Sequence, residues 1–94
     1  MVMEVDDNIA AQRFETTVDG QLAVLEYRID GTTLVLRHTE VPDALRGHGI
    51  AAALAKHALD SARERGMDVV PKCAYVAAWI TRHPEYADLV RADP

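Results

Sequence analysis

Two glycines and an arginine stand together near the middle of the chain, in the segment Arg46-Gly47-His48-Gly49, and an alanine- and leucine-rich run follows them. The run predicts a helix that begins at this segment. The first turn of a helix leaves backbone N–H groups without partners and adds partial positive charge. Glycine lets a phosphate approach that backbone closely, because it carries no side chain. We therefore interpret the segment as an anion site of the kind that holds a pyrophosphate.

The same glycines allow two other interpretations. Gly47, Gly49 and Ala52 satisfy G-x-G-x-x-A, the fingerprint of dinucleotide-binding domains. A chain of 94 residues is short for such a domain, and the expected acidic residue is misplaced, since Asp68 comes at the start of the next predicted strand rather than at its end. In the simplest interpretation, the glycines only permit a tight loop before a helix.

Composition excludes several classes of protein. The net charge is −5 and there is no lysine-rich run, so we expect no nucleic-acid partner. One cysteine excludes an internal disulfide and favours a reducing compartment. Because the first residues are acidic, we expect no signal peptide there, and no apolar run in the sequence is long enough to span a membrane. We expect a cytoplasmic protein with no metal site, no membrane partner, and a monomeric or weakly homo-oligomeric state.

The elements that position the glycine segment follow from hydrophobic periodicity and turn residues. Residues 1–10 are expected to be a loose lead-in. Alternating and β-branched residues predict three strands, at residues 12–18, 21–29 and 33–41. Two Asp-Gly pairs, the strongest short hairpin signal, predict the turns that join these strands, at Asp19-Gly20 and Asp30-Gly31. This half of the chain is therefore predicted to be a three-stranded antiparallel meander.

The third strand runs into the glycine segment, so its alternation decides which side chains reach the site. Side chains two residues apart share a face of a strand. One face is predicted to carry Leu34, Leu36 and His38, and the other Val35, Arg37 and Thr39.

The second half of the chain changes period. Apolar residues recur every four positions over residues 49–65, which predicts an amphipathic helix that stops at Gly66. A short strand follows at residues 67–70, then a second helix at residues 73–83 and a final turn at residues 85–90. A strand, a helix and a strand in this order predict a right-handed crossover, with the fourth strand parallel to the third. The predicted fold is α+β, in one domain over residues 1–94.

Residues 46–51 also fit [Q/R]-x-x-G-x-[G/A], the acyl-CoA signature of the acetyl-CoA-dependent N-acetyltransferase superfamily (GNAT). The chain resembles a very small GNAT subfamily over residues 13–89. The segments that carry the resemblance are His38-Thr39-Glu40-Val41-Pro42, Arg46-Gly47-His48-Gly49-Ile50-Ala51, Val70-Pro71-Lys72-Cys73 and Arg82-His83-Pro84-Glu85-Tyr86. The resemblance implies a minimal GNAT fold that uses acetyl-CoA.

The resemblance also implies where coenzyme A lies. The pyrophosphate is expected on the backbone of the signature, with the pantetheine arm along the strand before it and the thioester near Cys73. The coenzyme-binding residues implied in this way are Thr39, Val41, Arg46, Gly47, His48, Gly49, Ile50 and Ala51. The chain departs from larger GNAT enzymes in lacking their C-terminal strand pair and the helical insert that Asp19-Gly20 replaces. Those regions build much of the acceptor pocket.

Attack of an amine on a thioester needs a base, and an acid for the departing thiolate. The resemblance suggests Glu40 and His38 as bases. Tyr86 or Tyr75 is the candidate acid, and Cys73, at the start of a helix, is a candidate acyl-accepting nucleophile. Each has a structural alternative: a core histidine, a solvated carboxylate, packed tyrosines and a small buried cysteine. The predicted function is N-acetylation of an unidentified amine; the alternative is a non-catalytic acyl-CoA-binding or sensing module.

Overall fold

Five strands form one sheet, and two helices pack against it. The computed structural model describes residues 3–92. The strands are β1 (Asp6–Asn8), β2 (Arg13–Val18), β3 (Gln21–Asp30), β4 (Thr33–Glu40) and β5 (Asp68–Pro71). The helices are α1 (Ile50–Glu64) and α2 (Ala74–Arg82), with short 3₁₀ helices at Asp43–Leu45 and Pro84–Leu89.

The strands lie in the order β1-β2-β3-β4-β5. The first four are antiparallel, and β4 and β5 pair in parallel across the α1 crossover, as the sequence predicted. The first hairpin turns at Asp19 and Gly20, whose φ angles of 51° and 73° match the left-handed conformation that a two-residue turn requires. The predicted α+β fold, with its meander and parallel fourth strand, is confirmed.

The prediction of a loose lead-in over residues 1–10 is wrong for Asp6–Asn8. These residues form β1, which pairs antiparallel with β2. Side chains hold this segment as well: the Tyr27 hydroxyl donates to Asp7 at 2.5 Å, and the Thr16 hydroxyl donates to the Glu4 carbonyl at 2.7 Å. The acidic segment is therefore ordered by hydrogen bonds across the sheet and by Met3 and Val5, which pack against the core.

A β-bulge interrupts the pairing of β3 and β4. Tyr27 pairs with Leu36 and Glu26 with His38, so Arg37 is the extra residue. One extra residue reverses the alternation of every residue beyond it. The prediction that His38 shares a face of β4 with Leu36 is therefore wrong. His38 lies on the other face of the sheet, and Thr39 lies on the same face as Leu36.

The hydrophobic core lies between the sheet and both helices, on one face of the sheet. It contains Phe14, Leu25 and Leu36 from the strands together with Leu54 and Trp79 from the helices. The opposite face carries Val24, Val35 and Val70, which are buried, and Leu22, which is 43% exposed. These residues are not part of the main core cluster, so this face is packed separately and is exposed only in part.

The C-terminal 3₁₀ helix is fastened to α1 by side chains. The Tyr86 hydroxyl donates to Asp60 at 2.6 Å, and the Arg63 guanidinium donates to both carboxylate oxygens of Asp88 at 2.9 and 3.0 Å. No helix in residues 3–92 is long and apolar enough to cross a membrane. The same residues contain no group of side chains arranged to bind a metal ion.

Candidate functional site

The start of α1 is open to an incoming anion. Gly49 is the N-cap, with a φ of 75°, and no side chain caps the helix. The amides of Ile50, Ala51 and Ala52 lie in the first turn, where backbone N–H groups have no partner within the helix. Gly47 also has a positive φ, of 84°. A Cβ atom added at either glycine would meet no atom within 4 Å, so this backbone borders open space.

A first cleft of about 410 Å³ extends from this helix start to the end of β4. Its lining residues are Thr39, Val41, Leu45, Arg46, Gly47, Gly49, Ile50, Ala51, Ala52 and Tyr75. All of the predicted coenzyme residues except His48 are among them; His48 is exposed. Apart from Arg46, none of the lining side chains is charged, and most are small or apolar.

The strands β4 and β5 diverge beside this cleft. Their parallel pairing ends at Leu36 and Pro71, and the Cys73 N–H then donates to the Leu36 carbonyl at 2.9 Å. From Arg37 onwards, β4 pairs with β3 alone among the described residues. The edge of β4 that faces this cleft therefore has no partner strand beyond Leu36. An extended molecule in the cleft could form backbone hydrogen bonds with that edge, as an added strand would.

A second cleft of about 560 Å³ lies on the face of the sheet opposite the helices. It is lined by Arg13, Leu22, Val24, Glu26, His38, Thr39, Glu40, Val41, Pro42, Asp43 and Arg46. Thr39, Val41 and Arg46 also line the first cleft. The two clefts therefore meet along the end of β4, where β4 pairs with β3 but not with β5, and His38 and Glu40 share the second cleft.

The charges of the second cleft are unevenly balanced. Arg13 forms an ion pair with Glu15 at 2.8 Å, and Arg46 forms one with Asp43 at 3.1 Å. Arg13 also lies directly opposite Glu26 in the sheet, and neither Glu26 nor Glu40 forms an ion pair within 4.0 Å among residues 3–92. Sequence reasoning missed Glu26, because only the strand register shows that it lies opposite His38.

Cys73 is buried at the N-cap of α2, in agreement with its predicted position. Its sulfur lies 3.2 Å from the hydroxyl of Thr39, a hydrogen-bonding distance. The cysteine itself lines neither cleft, but Thr39 lines both. Cys73 is therefore one side chain removed from the junction of the clefts.

The two candidate tyrosines lie in different places. Tyr75 lines the first cleft, and burial raises the pKa of its hydroxyl. Tyr86 lines neither cleft, and its hydroxyl donates to Asp60. That hydrogen bond, and then burial, raise the pKa of Tyr86. The structure therefore brings Tyr75, rather than Tyr86, to the predicted coenzyme site.

The mostly antiparallel sheet, with one parallel pair joined by the α1 crossover, distinguishes this α+β fold from a doubly wound dinucleotide domain. A sequence model described as GCN5-related N-acetyl-transferase matches residues 13–89, and the chain belongs to this family.

Individual proteins agree with this assignment. The mouse and human proteins called NATD1 are each 37% identical to the chain over 95 residues, which covers 98% of the chain and 86% and 84% of theirs. The NMR solution structure of a GCN5-like protein from Staphylococcus aureus has a TM-score of 0.74 at 24% identity, covering 97% of this chain and 90% of that one. The latter likeness shows the fold.

Proposed function

We propose that the protein binds acetyl-CoA and transfers its acetyl group to an amine. The observation that carries this proposal is the first cleft, which joins the end of β4, beyond its pairing with β5, to the uncapped start of α1. A carrier with a charged diphosphate and an amide-containing arm needs both features in one continuous groove. Membership of the acetyltransferase family gives independent support.

Each part of the coenzyme has a candidate partner in the chain. The backbone amides at residues 49–52 would hold the diphosphate, supported by the helix dipole. Arg46, an exposed cation that lines the cleft, would add a charged contact. The free backbone of Thr39 and Val41 would pair with the pantetheine arm. Bound acetyl-CoA supplies a thioester carbonyl, whose carbon accepts the amine.

Proton transfer would use side chains on both sides of β4. His38 and Glu40 line the second cleft, where an amine has access, and one of them would accept the proton that the amine loses. Tyr75 lines the first cleft, and its hydroxyl has no hydrogen-bond partner within residues 3–92. A tyrosine hydroxyl is protonated at neutral pH, so that of Tyr75 would be available to give a proton to the departing thiolate, although burial raises its pKa and makes it a weaker acid.

Cys73 offers a second, covalent route. Its contact with Thr39 places the thiol next to the junction of the clefts. In this route the thiol would take the acetyl group first and pass it to the amine. Mass spectrometry after exposure to acetyl-CoA distinguishes the routes. An acetyl group on Cys73 in native but not in denatured protein supports the covalent route, and an unmodified Cys73 supports direct transfer.

A non-catalytic acyl-CoA-binding module is the second candidate. The two-residue turn at Asp19 and Gly20, in place of a longer connection, favours it by leaving the second cleft open. The test is calorimetric titration with CoA, followed by measurement of thiol release from acetyl-CoA over a panel of amines. Binding with amine-dependent release supports the transferase, and binding without release supports the module. Absence of CoA binding by folded protein would contradict both.

A further inference from the structure

The hydroxyl of Thr39, at the junction of the two clefts, is not committed to an oxygen acceptor. The hydroxyls of Thr16, Thr33 and Thr81 each donate to a protein oxygen atom, at 2.6 to 2.7 Å. The Thr39 hydroxyl instead contacts the sulfur of Cys73 at 3.2 Å, its one hydrogen-bonding contact among residues 3–92. Thr39 is half-buried and lines both clefts, so this hydroxyl is accessible to a ligand.

The direction of this hydrogen bond follows from counting donors and acceptors. Cys73 is 7% exposed, and its thiol has no other hydrogen-bond partner among the described residues. If the threonine hydroxyl donated to the sulfur, the buried S–H group would be left without an acceptor. If the thiol donates to Thr39 Oγ1, both protons are used, because a hydroxyl accepts through its lone pairs and donates its own proton elsewhere. The hydroxyl proton of Thr39 then points towards the clefts.

The backbone holds both side chains in place. Thr39 pairs with Leu25 of β3, beyond the bulge at Arg37. The Cys73 N–H donates to the Leu36 carbonyl at 2.9 Å, and the Cys73 carbonyl accepts from the Ala77 N–H at 3.0 Å. Because sheet and helix hydrogen bonds fix the two residues, the hydroxyl and the thiol stay together where β4 and β5 diverge.

The proposed position of the coenzyme brings its thioester to this hydroxyl, since the pantetheine arm would lie along Thr39 and Val41. Resting on the acetyl transfer proposed above, we infer that the Thr39 hydroxyl donates a hydrogen bond to the thioester carbonyl oxygen and is a catalytic residue. Cys73 is a positioning residue, because its thiol occupies a lone pair of Thr39 and so directs the hydroxyl proton. The cysteine itself forms no bond to the acetyl group.

This hydrogen bond acts on the charge that develops during transfer. The lone pair of the neutral amine forms a bond to the carbonyl carbon, and the π electron pair moves to the oxygen, where Thr39 stabilises it. The pair then returns and the carbon–sulfur bond breaks, so that sulfur leaves with the bonding electrons. Tyr75 gives a proton to sulfur, and His38 or Glu40 accepts the proton that nitrogen loses. The products are an amide and CoA thiol, and exchange with solvent restores the side chains.

The first test needs no turnover. Infrared spectroscopy of bound acetyl-CoA, isotope-labelled at the thioester carbonyl and with no amine present, measures hydrogen bonding to that oxygen. The carbonyl band should lie at lower frequency in wild type and in Thr39→Ser, which keeps the hydroxyl. It should lie at higher frequency in Thr39→Val, which keeps the shape of the side chain without the hydroxyl. Calorimetry confirms that each protein binds acetyl-CoA, and thermal denaturation confirms folding.

Turnover with an amine acceptor is the second test. Thr39→Val should lower kcat about 100-fold, the loss typical of removing one oxyanion donor, whereas Thr39→Ser should lose less than about threefold. Thr17→Val is the matched control, because Thr17 is an exposed threonine of β2 that lines neither cleft. This control should leave kcat unchanged.

Variants of Cys73 separate a positioning role from a nucleophilic one. Cys73→Ser keeps a hydrogen-bond donor and should retain most of the turnover, whereas Cys73→Ala should lose about tenfold, the effect of one lost hydrogen bond. The carbonyl band should also move to higher frequency in Cys73→Ala, although its Thr39 is intact. Adding Cys73→Ala to Thr39→Val should cause little further loss of turnover, because the two residues act as one unit.

Two results would overturn the inference and leave the transferase proposal standing. One is a carbonyl band at the same frequency in wild type, Thr39→Val and Cys73→Ala. The other is a loss of turnover in Cys73→Ser as large as that in Cys73→Ala, which would assign the sulfur a covalent role. Failure of folded wild type to bind CoA would instead remove the proposed function itself.

Discussion

The hydroxyl of Thr39 lies 3.2 Å from the sulfur of Cys73, across the point where β4 and β5 diverge. Thr39 reaches this position because the bulge at Arg37 turns it towards the helix-bearing face of the sheet. One residue thus lines both clefts and touches the cysteine at the start of α2. The contact links coenzyme, acceptor and nucleophile in the proposed reaction.

Bulk at the helix start should block CoA. A Gly49→Trp variant is expected to weaken CoA binding at least tenfold, because the indole would fill the space beside the first-turn amides. Gly49→Ala is the matched control, since both substitutions carry the left-handed backbone cost of about 1–2 kcal/mol. Calorimetry measures affinity, and thermal denaturation confirms folding. Equal affinity of folded Trp and Ala variants would show that the diphosphate binds elsewhere.

Removal of the proposed base should slow transfer without weakening CoA binding. Glu40→Gln keeps the shape of the side chain but cannot accept a proton, so turnover is expected to fall about 100-fold if Glu40 is the base. His38→Gln is the parallel variant. Thiol release gives turnover, and calorimetry gives CoA affinity. If neither variant loses at least about tenfold in turnover, proton transfer does not use this face of β4.

The two tyrosines should differ in what their hydroxyls do. Tyr75→Phe is expected to lower turnover at least about tenfold, through loss of the proposed acid. Tyr86→Phe removes a hydrogen bond to Asp60 and is expected to cost about 1 kcal/mol of unfolding free energy, with turnover of the folded protein retained. Urea denaturation and thiol release measure the two effects. If turnover fell in Tyr86→Phe and not in Tyr75→Phe, Tyr86 rather than Tyr75 would be the acid.

Stability should fall in alkaline solution through Tyr27. Burial, and then the hydrogen bond to Asp7, raise the pKa of Tyr27 to about 12 in the folded protein, from 10.0. Because the pKa of Tyr27 is higher in the folded than in the unfolded protein, the protonated hydroxyl stabilises the fold. This contribution to the free energy of unfolding is complete below pH 10 and is lost as the pH rises through about 12. The shift corresponds to about 2–3 kcal/mol.

The check compares wild type with Tyr27→Phe by urea denaturation between pH 9 and pH 12, using the fluorescence of the single tryptophan, Trp79. The variant should be less stable than wild type at about pH 9, where the Asp7 hydrogen bond is intact. The difference should shrink towards about pH 12. A difference that stays constant with pH would mean that Tyr27 does not titrate between these limits.

Local patterns were sufficient to predict most of the fold. The Asp19-Gly20 pair predicted the first turn correctly, and the four-residue apolar period of α1 predicted a helix within one residue of each observed end. The second turn was predicted one residue too early: Asp30 pairs with Thr33 at the end of β3, so the turn residues are Gly31 and Thr32. The glycine segment before α1 was placed correctly because helix starts and positive φ angles depend on a few adjacent residues. Those features also put Arg46 and Gly49 beside one cleft.

Long-range pairing decided what the sequence alone did not specify. A side-chain period of two predicts faces only while the register is regular, and the bulge at Arg37 arises from hydrogen bonding to β3. In the tertiary structure, His38 and Thr39 therefore each lie on the face of the sheet opposite to the predicted one, and β1 is ordered by its pairing with β2. It also separated Tyr75 from Tyr86 and placed Glu26 beside His38, because contacts between distant segments depend on how whole elements pack.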